Sequence, residues 1–263
     1  MHSKAGRRRA FFAVLGFLIV IAAGGYLSWL YLTRPQITQV EKGRRLAEQM
    51  GCFGCHGPEG RGGVFNPDRT DVLVPSWKGD LMMFAHDTGQ IREWIRDGTS
   101  KARAGSLSWQ DERDKGVLDM PAFGKKLSDT QIGELVQLVA AINGKSAPAD
   151  SIARHGYQRA DSLGCFGCHG PGGSYSRPNP GSFKGYIPSW GTADFPDLVH
   201  DRQEFDQWVS AGISKRFEEN RLARYFLERA NLKMPAYHRH LQPGDLDALW
   251  AYVNWLRSDS ISR

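Results

Sequence analysis

Hydrophobic residues are distributed along this chain in two ways. Residues 11–32, FFAVLGFLIVIAAGGYLSWLYL, contain no charged side chain. As a helix they extend about 33 Å, enough to cross a ~30 Å hydrocarbon core. A segment apolar on every side does not suit the surface helix of a soluble domain. Elsewhere the apolar residues recur at helical spacing. Val40, Leu46 and Met50 do so within 40–50. Ile132, Leu135, Val136, Val139 and Ile142 do so within 129–142, behind Ser128 or Asp129 as a cap. Leu246, Leu249, Trp250, Val253 and Leu256 repeat the pattern within 245–256. The stretch EENRLARYFLERANL at 218–232 reads as a further amphipathic helix. Strand alternation is nearly absent, so the predicted fold class is all-α. The Gly- and Pro-rich stretches between these helices imply loops folded around something other than their own side chains.

Charge gives the apolar segment a direction. Arg7, Arg8 and Arg9 precede it and only Arg34 closely follows. The positive-inside bias then places the N-terminus in the cytoplasm and everything after residue 33 outside it. Tyr26, Trp29 and Tyr31 gather at the far end, where aromatic side chains suit a membrane interface. A cleaved signal peptide is the rival, with Ala22-Ala23-Gly24 as a conceivable site. Its apolar region normally runs ~7–15 residues, whereas this one continues through Leu32, so residues 1–33 are expected to be an uncleaved anchor. The net charge of +6 owes four charges to Lys4 and Arg7–Arg9. With no basic run interleaved with aromatics in the body of the chain, nucleic acid is not an expected partner.

The 263 residues are enough for about two domains, and the chain is written twice. GCFGCHG occurs at 51–57 and again at 164–170. Pro75-Ser76-Trp77 recurs as Pro188-Ser189-Trp190 at the same offset of 113. Trp94, Gly98, Ser100-Lys101 and Met120-Pro121-Ala122 recur 114 positions on as Trp208, Gly212, Ser214-Lys215 and Met234-Pro235-Ala236. Tandem domains at 38–145 and 151–258 follow, joined near NGKSAPAD at 143–150.

All four cysteines lie in the repeated heptapeptide, leaving none for a structural disulfide. Cys52-x-x-Cys55-His56 and Cys165-x-x-Cys168-His169 have the spacing for covalent haem attachment. Two thiols three residues apart reach the two vinyl groups on one porphyrin edge, and the following imidazole binds iron. A shared zinc site would not need a histidine after each pair. A thioredoxin-like pair would need a βαβ setting, which is missing. The sixth iron position is expected to fall to Met120 and Met234, the two methionines kept at matching positions. A thioether favours reduced iron and raises the potential relative to two histidines. His86 and His200 are also equivalent, each followed by Asp. They are alternative distal ligands, or they steady a helix start. His2, His155, His238 and His240 have no counterpart in the other half and read as surface residues.

These motifs, with V-P-S-W and I-P-S-W at 74–77 and 187–190 and M-P-A-F and M-P-A-Y at 120–123 and 234–237, make each half resemble a class I cytochrome c domain. The resemblance spans about residues 40–257. It implies that the Pro75 and Pro188 carbonyls bond Nδ1 of the axial histidines. The stretches 101–119 and 215–233 are longer than in the smallest members of that family. The resemblance implies one N-terminal transmembrane helix and two tandem domains holding two covalently attached haem c groups. It further implies a single-electron carrier rather than an enzyme, and the outward topology places that carrier on the periplasmic side of the inner membrane. Expected partners are subunits of a quinol-oxidising, oxidase or similar complex, soluble redox carriers, and the lipid bilayer. A di-haem peroxidase-like enzyme or a haem-based gas sensor is the alternative. Either needs one iron to open a coordination position, which the matching Met-Pro pairs do not suggest.

Overall fold

The computed structural model describes residues 4–70, 72–144 and 146–261. Met1, His2 and Lys145 lie outside the described residues, as do the side chains of Lys4 and Arg7. Helix α1 (Lys4–Leu32) takes in the apolar segment. Its stretch Phe11–Tyr31 has a mean hydropathy of 2.2 and no buried residue, and it is long enough to cross a membrane.

The first half holds α2 (Gln39–Gln49), α3 (Cys52–His56), α4 (Thr88–Asp97), α5 (Lys101–Ala104), α6 (Leu107–Lys115) and α7 (Asp129–Asn143). The second holds α8 (Ser151–Ser162), α9 (Cys165–His169), α10 (Asp194–Leu198), α11 (Arg202–Ala211), α12 (Lys215–Glu219), α13 (Arg221–Arg229) and α14 (Asp245–Ile261). A two-residue antiparallel pair, β1 (Arg177–Pro178) and β2 (Tyr186–Ile187), is the one sheet among the described residues. Side-chain caps start the helices where the sequence supplies them. Ser128 and Gln131 form a reciprocal capping box on α7, and Thr38, Ser106, Asp150 and Asn220 cap α2, α6, α8 and α13.

In each half the first helix crosses the last at close range: α2 on α7, α8 on α14. A glycine permits each crossing. A Cβ on Gly43 would collide with the carbonyl of Glu134 in α7, and a Cβ on Gly156 with that of Ala248 in α14. These glycines are 113 positions apart, the offset of the cysteines. The crossings bury the periodic apolar residues. Leu46, Ile91, Ile95, Ile132, Leu135 and Val139 form one core. Phe166, Phe205, Val209, Leu249, Tyr252 and Val253 form the other. At the start of α14, Asp245 is 1% exposed and receives both guanidinium arms of Arg159 on α8, at 2.8 and 2.7 Å. Such a bidentate charged pair fixes orientation as well as distance.

Asn143 and Pro148, within the connection, are held by specific contacts. Asn143 Nδ2 donates to the Trp77 carbonyl at 3.0 Å, Pro148 is fully buried, and Arg154 Nε donates to the Pro148 carbonyl at 3.0 Å. The halves then meet over Tyr175, which is 1% exposed. Its hydroxyl donates to the Glu59 carboxylate and accepts from Arg177 at 3.2 Å, while Lys78 pairs with Asp161 at 3.1 Å on the rim.

The segment leaving α1 precedes the first half in sequence yet docks on the second. The Trp29 ring meets Phe183 edge-on at 5.3 Å. Tyr186 Oη donates to the Arg34 carbonyl at 3.4 Å, Ala193 N donates to Gln36 Oε1 at 3.0 Å, and Thr38 Oγ1 donates to the Ser174 carbonyl.

Replacing Gly43 or Gly156 by Ala is expected to force the helices apart and lower stability by about 1–3 kcal/mol, the usual cost of overpacking. Thermal unfolding checks this: Gly54→Ala, where a Cβ meets nothing within 4 Å, should unfold at nearly the parental temperature.

Candidate functional site

Helices α3 and α9 are the repeated heptapeptide. In each, cysteines at i and i+3 share one helix face and the histidine follows directly. His56 Nδ1 lies 2.9 Å from the Pro75 carbonyl oxygen, and His169 Nδ1 lies 3.3 Å from that of Pro188. A carbonyl can only accept, so Nδ1 carries the hydrogen and Nε2 keeps its lone pair. Trp77 lies against the His56 ring at 5.0 Å and 40°, and Trp190 against His169 at 4.9 Å and 41°. The backbone N–H of each tryptophan is tied back to a loop carbonyl, Gly60 at 2.8 Å or Gly173 at 2.9 Å. Burial pushes the His56 imidazole down against the opposing Pro75 bond, and it pushes His169 down to about 4. Both rings are therefore neutral near pH 7, the form that binds a metal.

The opposite wall carries the methionines. Phe123 N donates to the Ile95 carbonyl and Tyr237 N to that of Val209, each at 3.0 Å, so the Met-Pro segments lie along the ends of α4 and α11. Gly98 (φ +76°) and Gly212 (φ +79°) end those helices in the left-handed region, and a Cβ on either would strike the Met120 or Met234 carbonyl. Glycine meets both demands at once.

Cys52, Cys55, His56, Pro75 and Met120 line one cavity. Cys165, Cys168, His169, Pro188 and Met234 line another. The first has a volume of about 130 Å³ and the second about 900 Å³. The two cavities also differ in one large wall residue. Trp109 on α6 lines the first cavity and is 8% exposed, whereas Ala223 on α13 stands at the matching position of the second. The Arg69 and Arg103 guanidinium groups stack on Trp109 at 4.7 and 4.5 Å. Their counterparts in the second half are Ser182 and Phe217.

The donor set of each cavity suits a haem: two thiols, an imidazole nitrogen and a thioether within mainly apolar walls. The second volume is in the ~300–1,000 Å³ range of cofactor sites. In the first, the buried Trp109 Nε1 has no partner and is a ready donor to a carboxylate. Burial pushes the Cys165 thiol up to about 11 and also raises Cys52, unlike the low-pKa thiols of redox-active pairs. The two cysteine pairs line different cavities, so they do not converge on one zinc.

His86 and His200 are exposed and line neither cavity. Each stands just before a helix that its neighbouring aspartate caps: Asp87 accepts from Gln90 N and Asp201 from Glu204 N, both at 2.8 Å. His155, His238 and His240 are exposed as well.

Sequence reasoning missed Asn66 and Asn179. Asn66 Oδ1 accepts from the N–H groups of Val117 and Leu118 at 3.0 and 2.9 Å, and Nδ2 donates to the Leu118 carbonyl at 3.0 Å. Asn179 does the same to Leu232 through Oδ1 at 2.9 Å and Nδ2 at 3.0 Å. Each amide ties the loop after the cysteines to the segment entering the methionine. The signal was available, since the two asparagines sit at the cysteine offset of 113.

Residues 38–139 match the family model described as cytochrome c oxidase, cbb3-type, subunit III. A cytochrome c domain is thus present in this chain, and such a domain is a haem-based electron carrier holding covalently bound haem c. No curated protein and no solved structure matches the chain.

Asn66→Ala would remove the protein partner of two part-buried N–H groups and one carbonyl, at no more than about 1–3 kcal/mol for each. The expected result is a lower unfolding temperature, with faster amide exchange in the segment around Val117 and Leu118, measurable by mass spectrometry.

Proposed function

We propose that the protein is a membrane-anchored di-haem c-type cytochrome that carries single electrons on the outer face of the cytoplasmic membrane. In this reading residues 151–258 are a second class I cytochrome c domain and α1 is the anchor. The observation that carries it is repetition at the level of atoms. Imidazole, proline carbonyl, tryptophan ring, asparagine staple and methionine segment recur around both cavities, 113 or 114 residues apart.

A bound haem supplies the one-electron iron couple. The chain supplies the rest. Cys52 and Cys55, and Cys165 and Cys168, are the attachment thiols. His56 and His169 would bind the iron through Nε2, each held in one tautomer by a proline carbonyl that also raises ring basicity. Met120 and Met234 would offer their thioethers to the iron from segments held against the ends of α4 and α11. The apolar walls exclude water and disfavour the extra charge of oxidised iron, which raises the potential. The α1 anchor holds both sites near membrane donors and acceptors, increasing their effective concentration. The matched family's description, subunit III of a cbb3-type oxidase, supports a place as a subunit of such an electron-transport complex. Soluble redox carriers would be its further partners.

Two measurements test this. Reduced pyridine haemochrome should count two c-type haems per chain. Cys52→Ala with Cys55→Ala should halve the count; one haem in the parent chain would refute the second site. Met120→Ala and Met234→Ala should each leave the count at two, remove about half of the far-red iron–methionine band and lower one of two potentials. An unchanged spectrum and potential would remove that methionine from the iron.

A further inference from the structure

The loops that follow the two attachment motifs differ reciprocally at two positions. Glu59 stands three residues after His56, and its counterpart after His169 is Gly172. Tyr175 stands six residues after His169, and its counterpart after His56 is Gly62. Each loop thus carries a long side chain where the other has glycine. The backbone at 59 and at 172 is left-handed, with φ of +54° and +60°. Glycine adopts that conformation freely, whereas a glutamate is strained in it. A strained residue persists where its surroundings hold it. The Glu59 carboxylate is held from the other half, where it accepts from the Tyr175 hydroxyl.

Tyr175 is itself fixed from both halves. Arg44 of α2 lies over its ring at 5.7 Å and Arg177 at 5.2 Å, and Arg177 Nη2 donates to its hydroxyl at 3.2 Å. The ring packs on Gly170, directly after His169, where a Cβ would meet three ring carbons at 2.9–3.0 Å. Contact is therefore continuous from the His56 loop, through Glu59 and Tyr175, to the residue beside His169. Neither Glu59 nor Tyr175 lines either cavity. The pair joins the two sites without entering them.

We propose that Glu59 and Tyr175 are positioning residues for electron exchange between the two sites. Their bond holds the attachment loops at one separation. Electron transfer needs this, because its rate falls exponentially with distance. In each exchange one iron is oxidised and the other reduced by the same electron, and no other bond is made or broken. This rests on the reading of two haem-bearing halves.

The test uses the full chain with its haems, purified in detergent. Gadolinium labels at Asp111→Cys and Glu219→Cys, exposed positions in opposite halves, report the separation of the halves by pulsed electron paramagnetic resonance. The ascorbate-reduced state is used, in which the ligated irons are diamagnetic. Pulse reduction with less than one electron per chain gives the rate at which that electron redistributes between haems. Glu59→Gly installs the residue of the other half and relieves the strain; Tyr175→Phe keeps the ring and loses the bond. Each should broaden the separation and slow redistribution several-fold, and Tyr175→Phe should leave both potentials in place. Glu59→Gln, still an acceptor, should match the parent. An unbroadened separation or a parental rate in both variants would overturn the positioning role. So would a shifted potential in Tyr175→Phe, or Glu59→Gln behaving as Glu59→Gly. One haem per parent chain, counted by reduced pyridine haemochrome, would instead overturn the two-site reading and the exchange with it.

Discussion

An imidazole held between a proline carbonyl and a tryptophan face is the constraint on which each half is built. His56 follows Cys55 directly, so its ring orientation decides where the cavity lies. The carbonyl that fixes the ring comes 19 residues later, and Trp77 arrives two residues after that. The backbone N–H of Trp77 then returns to the Gly60 carbonyl, closing the loop on itself. From within this loop Asn66 reaches across to Val117 and Leu118 and sets the approach to Met120. One hydrogen bond thus positions the His56 side of the cavity, and the Asn66 amide the segment that carries Met120. A buried network with its partners in place is rigid because every alternative leaves polar groups unsatisfied.

The two halves share this frame but not its filling. Trp109 lines the first cavity, under two stacked guanidinium groups, where Ala223 lines the second. Solvent access and nearby charge are levers on a haem potential. In the proposed reading, with a haem in each cavity, these different walls would set the two potentials apart.

Chain order and spatial order also differ. The segment leaving α1 enters the first half by sequence but packs on the second through Trp29, Arg34, Gln36 and Thr38. Tyr175 and Glu59, each a few residues past an attachment motif, then join the halves directly. The short connection, with Pro148 buried, joins them along the chain.

Some of this was legible in the letters. Charge-free residues 11–32 and the apolar spacing in 129–142 and 245–256 fix helices wherever they pack, because period and propensity are local. The cysteine-histidine spacing is equally local, since three or four residues on one helical turn determine which groups share a face. The repeat makes each such feature visible twice. Gly43 and Gly156, Asn66 and Asn179 carried the same offset and still told nothing by composition, since a glycine in a helix or an asparagine in a loop has many uses. Their roles depend on a backbone carbonyl or amide brought close from about 50 to 90 residues away. The sequence by itself determined the helices, the duplication and the chemistry of the candidate donors. Tertiary structure alone decided which carbonyl meets which ring, that Trp109 lines one cavity and Ala223 the other, and which half the end of α1 touches, because each is a contact between segments whose separation along the chain carries no record of their separation in space.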